Sequence, residues 1–411
     1  MSYAKINTQI PHPQDLKLIR EMDKVSPKSM QENQLPIVWN RAKDFMVYDR
    51  WGNKFIDFTS TIFVANSGHS NSDICNALKK QIDDELIHSY SFSNKIRLKY
   101  LKKLTKFTGF EKAFLLSAGT EATEAAVKIM RSSNEYRNPL QSKIILSIKG
   151  SMHGKTYLAE QLKDKGWDDR CCFIDNLSYP SEKDEFKYTL PPEYVCGVII
   201  ESYRGYDARF LPQNYVQSLV KWAKENNILV CFDEIQSGFG RTGKLFAYEW
   251  YDIPKPDLVC CGKGLGGGIP ISAVLGSKEL LDLPNDLSST NSGNPLVCAG
   301  ALANINYIEK HKLINNSLKL GGYLEERLVT MCLMNCIIEE GNCRGLVGAL
   351  VFKNKEVADK VCNKCLKKGL LLVHTGRESI KIGPPLTITF DALKEGLDIL
   401  EIVIRSINNG K

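Results

Sequence analysis

Short apolar runs alternate with amphipathic stretches through the middle of the chain. The runs at 113–117 (AFLLS), 143–148 (KIILSI), 195–201 (VCGVIIE), 228–232 (ILVCF), 257–261 (DLVCC) and 271–275 (ISAVL) are short and continuously apolar, which predicts buried strands. Helical spacing appears over 120–131 and over 213–226, where Val216, Leu219, Val220 and Ala223 share one face. Buried strands alternating with helices imply a layered α/β architecture around a largely parallel sheet. Upstream, 45–49 and 54–58 flank Arg50-Trp51-Gly52-Asn53 in a strand-turn-strand pattern, after forty polar, turn-rich residues. Beyond residue 300 the texture changes to helices (297–310, 314–333, 355–368, 391–407) with short strands between them, a smaller α+β domain. No internal repeat or low-complexity linker interrupts this order.

Composition narrows the function classes. The 411 residues, 43% hydrophobic and 25% charged, exclude a disordered or coiled-coil chain. The net charge of +7 comes from 54 basic and 47 acidic residues that are interspersed, so no basic stripe suggests nucleic acid. No apolar run approaches the ~18 residues of a membrane span, and the start lacks an apolar signal region. Several of the 13 cysteines lie in apolar runs, as buried hydrophobes do, and the expectation is a cytoplasmic protein with reduced thiols. Cys332, Cys336, Cys343, Cys362 and Cys365 include a C-x-x-C. Cys362 and Cys365, however, fall at core spacing with Val357, Val361 and Leu366, so no metal is expected.

Three features carry candidate chemistry. Asp233 ends a buried strand, where a carboxylate is costly without a partner. It either caps a turn, pairs with Arg241, or serves a ligand. Lys263 follows the next apolar run between glycines (GKGLGGG), either a surface loop lysine or a reactive one on the same sheet edge. The strand at 113–117 leads through Ala118-Gly119-Thr120 into a helix whose free N–H groups suit a phosphate. An anion cup, a strand-end acid and a strand-end lysine are together the three contacts of pyridoxal phosphate. The literal G-x-G-x-x-G from Gly238 to Gly243 also raises an NAD(P)-dependent oxidoreductase. Five residues separate it from its strand, though, and a poor helix follows.

On these residues the chain resembles the class III (ω-)aminotransferases, from about residue 35 to the C-terminus. The matching blocks are DEIQSGFGRTGKLFAYEWYDIPKPDLVCCGKGLGGG, DRWGNKFIDFTSTIFVANSGH, AGTEATEAAVKIMR, HGKT, SSTNSGNPLVCAGALA and PPLTIT. The resemblance implies the aspartate-aminotransferase-like fold (fold type I), α/β, with a large mixed, mostly parallel sheet domain and a small α+β domain. Residues 1–50 would contribute to the small domain, 51–310 would form the cofactor domain, and 311–411 the rest of the small domain. It further implies a homodimer with shared active sites and a ping-pong transfer of an amino group from a small-molecule donor to an oxo acceptor. Lys263 would carry the cofactor and move the proton, and Asp233 would face the pyridine nitrogen. Gln236 would bond the phenolic oxygen, and Gly119 and Thr120 the phosphate, with Thr290 reaching it from the other subunit. Glu201 would support the site, Met152 would occupy the ring-stacking position, and His153 would adjoin the cofactor. An aminomutase of the same fold would use the same residues.

The departures from the family bear on substrate. Lys381 stands where many relatives carry an arginine, and Tyr206 where they carry the glutamate that masks it. Lysine lacks the bidentate fork a carboxylate prefers. Arg204 replaces a glutamine, and the expectation is that it holds an anionic substrate group (phosphate, phosphonate or carboxylate).

Overall fold

The computed structural model describes residues 2–30, 35–137, 144–164, 173–283, 286–408 and 410, the side chains of 134–137 excepted. The chain divides into two compact units: Met1–Asn71, Arg241–Gly243 and Leu313–Lys411 form one, and Ser72–Gly240 with Lys244–Lys312 the other.

The second unit is built on seven strands: β1 (Lys112–Leu116), β2 (Ile144–Ile148), β3 (Ile174–Leu177), β4 (Val195–Glu201), β5 (Leu229–Asp233), β6 (Leu258–Cys261) and β7 (Ser272–Gly276). They lie in the order β1-β7-β6-β5-β4-β2-β3. Only β7 runs against its neighbours, and the other pairs are parallel. All seven residues of β4 are buried, as a strand covered on both faces requires. Its helices include α1 (Ser72–Asp83), α2 (Lys95–Thr108), α3 (Gly119–Arg137), α4 (Gln213–Glu225) and α5 (Pro295–Lys310). In α4 the face of Val216, Leu219, Val220 and Ala223 is buried, as its spacing predicts. Ala122, Ala125, Ala126, Ile129 and Met130 of α3 join Ile145, Ile199, Cys231 and Cys260 of the strands in one core. The strands stand within a residue of the expected runs, except that residue 143 lies outside the described residues. The edge strand β3 was not expected, because Ile-Asp-Asn-Leu has no apolar continuity.

The first unit holds a sheet of Ile338–Arg344, Val347–Phe352, Ser379–Ile382 and Val373–His374, with helices Leu313–Met334, Lys355–Leu366 and Phe390–Asn408. The strand-turn-strand reading corresponds to Met46–Tyr48 paired antiparallel with Lys54–Asp57. Cys362 and Cys365 are buried in their helix. After Gly243 come bends and a short 3-10 turn rather than a helix, so the Gly238–Gly243 spacing does not form a dinucleotide loop. Among the described residues no helix is long and apolar enough to cross a membrane.

Candidate active site

The strand register assembles the site. Asp233, last in β5, is paired with Glu201, last in β4, on one side and with Cys260 of β6 on the other. Residues opposite one another in register project to the same face, so two carboxylates meet at one sheet edge. Lys263 follows two residues past the end of β6, at that same edge. This is the edge where α/β sheets bind ligands.

Each carboxylate has defined partners. Asp233 Oδ2 is 2.8 Å from His153 Nδ1, and Asp233 Oδ1 accepts from Ile235 N at 3.0 Å. His153 comes from the loop after β2, and Thr123 of α3 fixes that loop by donating to the His153 carbonyl at 2.8 Å. Burial alone would lower the His153 pKa. The hydrogen bond to Asp233, its charge and that of Glu201 outweigh burial and hold it above the ordinary value. Glu201 accepts from Met152 N at 2.7 Å and from Gly205 N at 3.0 Å, so one side chain ties together two loops. Burial raises its pKa and the nearby Asp233 adds to the rise, while His153 opposes it. Gln236 lies directly over Gly205, where an ideal Cβ would stand 1.8 Å from its Nε2, so only glycine admits the amide there.

Lys263 is partly exposed as a residue, but its amine is enclosed by protein. Burial lowers its pKa, and the charges of Asp233 and Glu201 restore part of the loss. Its backbone is left-handed, with φ of +43°. The pairing of Asp233 with Arg241 weighed from the sequence does not form. Arg241 instead donates to the carbonyl of Leu346 at 2.9 Å and to Asn66 Oδ1 at 2.7 Å, within the other unit.

The helix start beside this edge is narrower than the sequence implied. Glu121 turns back and accepts from Ser117 N at 2.8 Å and Ala118 N at 2.9 Å, using up those donors. Gly119, Thr120 and Glu121 then precede the first helical bond, Ala122 N to Ala118 O, and their N–H groups open the helix. The Thr120 hydroxyl meets that of Thr156, which donates to Glu124 Oε1 at 2.5 Å. Thr290 is exposed, and its carbonyl accepts from His88 Nε2 at 3.1 Å.

The substrate expectations fare differently. Arg204 is 4% exposed and turned inward: Nη2 donates to the Lys149 carbonyl at 2.9 Å, Nη1 is 3.2 Å from Asp207 Oδ2, and the guanidinium stacks 4.2 Å from the Tyr179 ring. Its guanidinium is thus engaged by groups of its own unit, and Asp207 also lies 3.9 Å from Arg209 Nη1. The half-buried Tyr206 has its ring 4.5 Å from Lys163 Nζ. Lys381 belongs to the first unit, buried in Ser379–Ile382 with Nζ 5.9 Å from the Phe63 ring.

Residues that pattern reading passed over also shape the site. Glu234, on the opposite strand face from Asp233, accepts from Ser202 and Ser237 hydroxyls and from Ala247 and Tyr248 N–H groups at 2.6–2.9 Å. Burial, only partly offset by those donors, pushes its pKa up to about 7. Ile235 packs beneath Gly119 and Gly262. The adjacent Asp-Glu pair was a visible signal for Glu234, since two acids ending a buried strand must each find partners.

Residues 28–404 match the family model described as aminotransferase class-III. An ornithine aminotransferase of Oceanobacillus iheyensis is 32% identical over 381 residues, covering 90% of this chain and 94% of that one. An acetylornithine aminotransferase of Caldanaerobacter subterraneus subsp. tengcongensis is 31% identical over 384 residues, covering 91% and 96%. The crystal structure of acetylornithine aminotransferase from Elizabethkingia anophelis aligns with a TM-score of 0.82 at 26% identity, covering 95% of this chain and 99% of that one.

Proposed function

The chain belongs to the class-III aminotransferases, and we propose that it carries out their pyridoxal-phosphate-dependent amino transfer at the β4–β5–β6 edge, with Lys263 moving the proton. The observation that carries this reading is the register that sets Asp233 between Glu201 and β6, with Lys263 just beyond. The residues fit the cofactor: Gln236 Oε1 and His153 Nε2 are buried polar atoms without a hydrogen-bond partner, and the N-terminus of α3 packs against their chain neighbours, Gly119 on Ile235 and Thr120 on Gly154. Gly119 and Thr120 would hold the phosphate, Asp233 the pyridine nitrogen and Gln236 the phenolic oxygen.

Bound pyridoxal phosphate supplies the electron sink that makes a proton on the amino-bearing carbon removable. The protein supplies everything else. Asp233, fixed by Ile235 N and His153, stays acceptor-ready where a ring N–H would arrive. Lys263 must be neutral to take a proton, and burial of its amine moves it that way. Glu201 keeps the Met152 loop and the Gly205 turn in place around that amine. The relatives are named for ornithine and acetylornithine, so the proposed donor is an amino acid with a side-chain amine or its acyl derivative.

We further propose that the enzyme is a cytoplasmic homodimer in which Thr290 completes the partner's phosphate cup, and that the seven-stranded unit is its cofactor domain. Leu86, Ile87, Tyr90, Phe92 and Leu98, all exposed, lie on the segment whose His88 holds the Thr290 loop. None of the described cysteines forms a disulfide, in keeping with a reducing compartment.

The deciding test is a half-reaction. Ornithine or a related amine, added without acceptor, should release one oxo product per active site and stop until an oxo acid is supplied. Continuous turnover of a single substrate would mean an aminomutase instead. Borohydride reduction and peptide mapping should place the cofactor on Lys263, and an adduct elsewhere would overturn the assignment of that residue.

A further inference from the structure

Helix α5 packs against the turn that bears Lys263, and one residue on its buried face is the wrong type for a core. Val297, Ala301, Asn304, Ile305 and Ile308 recur at helical spacing and are all buried. Asn304 has no exposed surface. A buried carboxamide is costly unless its polar atoms are paired, and here the pairing is specific. Asn304 Nδ2 donates to the Gly264 carbonyl at 2.9 Å and to the Leu265 carbonyl at 2.8 Å.

Those carbonyls belong to the two residues after Lys263. They sit in a 3-10 turn closed by Leu265 N to Gly262 O and Gly266 N to Lys263 O. The left-handed φ of Lys263 is a conformation that a lysine keeps only when its surroundings impose it. On the far side of the turn Gly267 has φ of +59°, and an ideal Cβ there would stand 2.4 Å from Asn304 Oδ1. Glycine therefore lets the turn close around the amide.

We infer that Asn304 is the positioning residue for Lys263. Its amide clamps the 263–267 turn from α5 and so holds the lysine left-handed, with its amine at the Asp233–Glu201 edge. The inference rests on Lys263 being the cofactor-bearing lysine. Without the amide, two buried carbonyls lose their donor, the turn relaxes, and the amine leaves the reactive position.

The test uses full-length apoenzyme of the wild type, Asn304→Leu and Asn304→Asp. Each is mixed with pyridoxal phosphate, which condenses with Lys263 Nζ, forming a carbon–nitrogen double bond and releasing one water. Three readouts follow: the capture rate by visible absorbance, the pH midpoint of that absorbance once loaded, and the site of the borohydride-reduced adduct. Asn304→Leu should slow capture by about tenfold or more and displace the midpoint, with kcat falling more than KM changes. Asn304→Asp donates at most one proton to the two carbonyls, so it should fall between the other two, at least about threefold slower than wild type. An adduct on Lys263 with wild-type capture and midpoint in Asn304→Leu overturns the inference alone. If that variant does not fold, the same result in Asn304→Asp overturns it. An adduct on another lysine overturns the reading of Lys263 and this inference with it.

Discussion

At the scale of single residues, the decisive property is whether a buried charge has a partner. Asp233 is 3% exposed and held by His153 and Ile235 N, so Asp233→Asn should keep the fold while losing the charge proposed to face the pyridine nitrogen. Activity should drop by about 10²–10³-fold or more, the scale of removing one fixed electrostatic contact. Steady-state kinetics on the reconstituted variant checks this, and near-normal turnover would make Asp233 a structural residue. Arg204 leads to the opposite expectation. Its ion pair with Asp207 is buried, and breaking one half of such a pair costs about 3–5 kcal/mol. Asp207 keeps Arg209 Nη1 at 3.9 Å, so Arg204→Gln should lower stability in denaturant titration by less than that amount. It should leave the ratio of KM values for charged and neutral substrates unchanged, and a selective rise for the anionic one would return Arg204 to the substrate site.

At the scale of elements, the loop after β5 is anchored by Glu234 rather than by its glycines. Four donors converge on that carboxylate and fix the segment that carries Gln236. Its pKa rises from an ordinary 4.5 to about 7, so the folded state binds its proton more tightly than the unfolded chain does. A raised acid pKa favours folding at low pH, and that contribution disappears as pH climbs from 4.5 through about 7. The loss is on the order of 3 kcal/mol at full effect. Unfolding free energies of the wild type and Glu234→Gln across pH 4.5–8 should show this slope only in the wild type. Parallel curves would show that Glu234 stays ionised among its donors.

At the scale of the whole molecule, Leu86, Ile87, Tyr90, Phe92 and Leu98 leave more apolar surface on one segment than a monomer needs. Phe92 is 77% exposed in a single chain, and Phe92→Glu should turn the proposed dimer into a monomer in sedimentation and abolish turnover. Its melting temperature should stay near that of an isolated wild-type subunit. An active monomer would refute shared sites.

The sequence by itself determined the strands, most helix faces and the chemistry-bearing ends of β5 and β6. Apolar runs this short, bounded by turn and helix signals, fit buried strands, and a strand-end acid or lysine is conspicuous against them. It also determined that Cys362 and Cys365 are core, since their spacing matches the buried stripe of their helix. Tertiary structure alone decided which side chains meet. The adjacency of Glu201 and Asp233 depends on strand order and register, which pair residues 32 positions apart. The engagement of the Ser117 and Ala118 N–H groups depends on where Glu121 turns, and the inward turn of Arg204 depends on Asp207 and Tyr179 packing against it. Asn304 stood in plain view as a polar residue on an apolar stripe, but only the packing of α5 on the Lys263 turn shows what its amide holds. Local patterns report burial, because burial acts on each residue's own side chain. Partnership is a property of pairs, and the fold brings those pairs together.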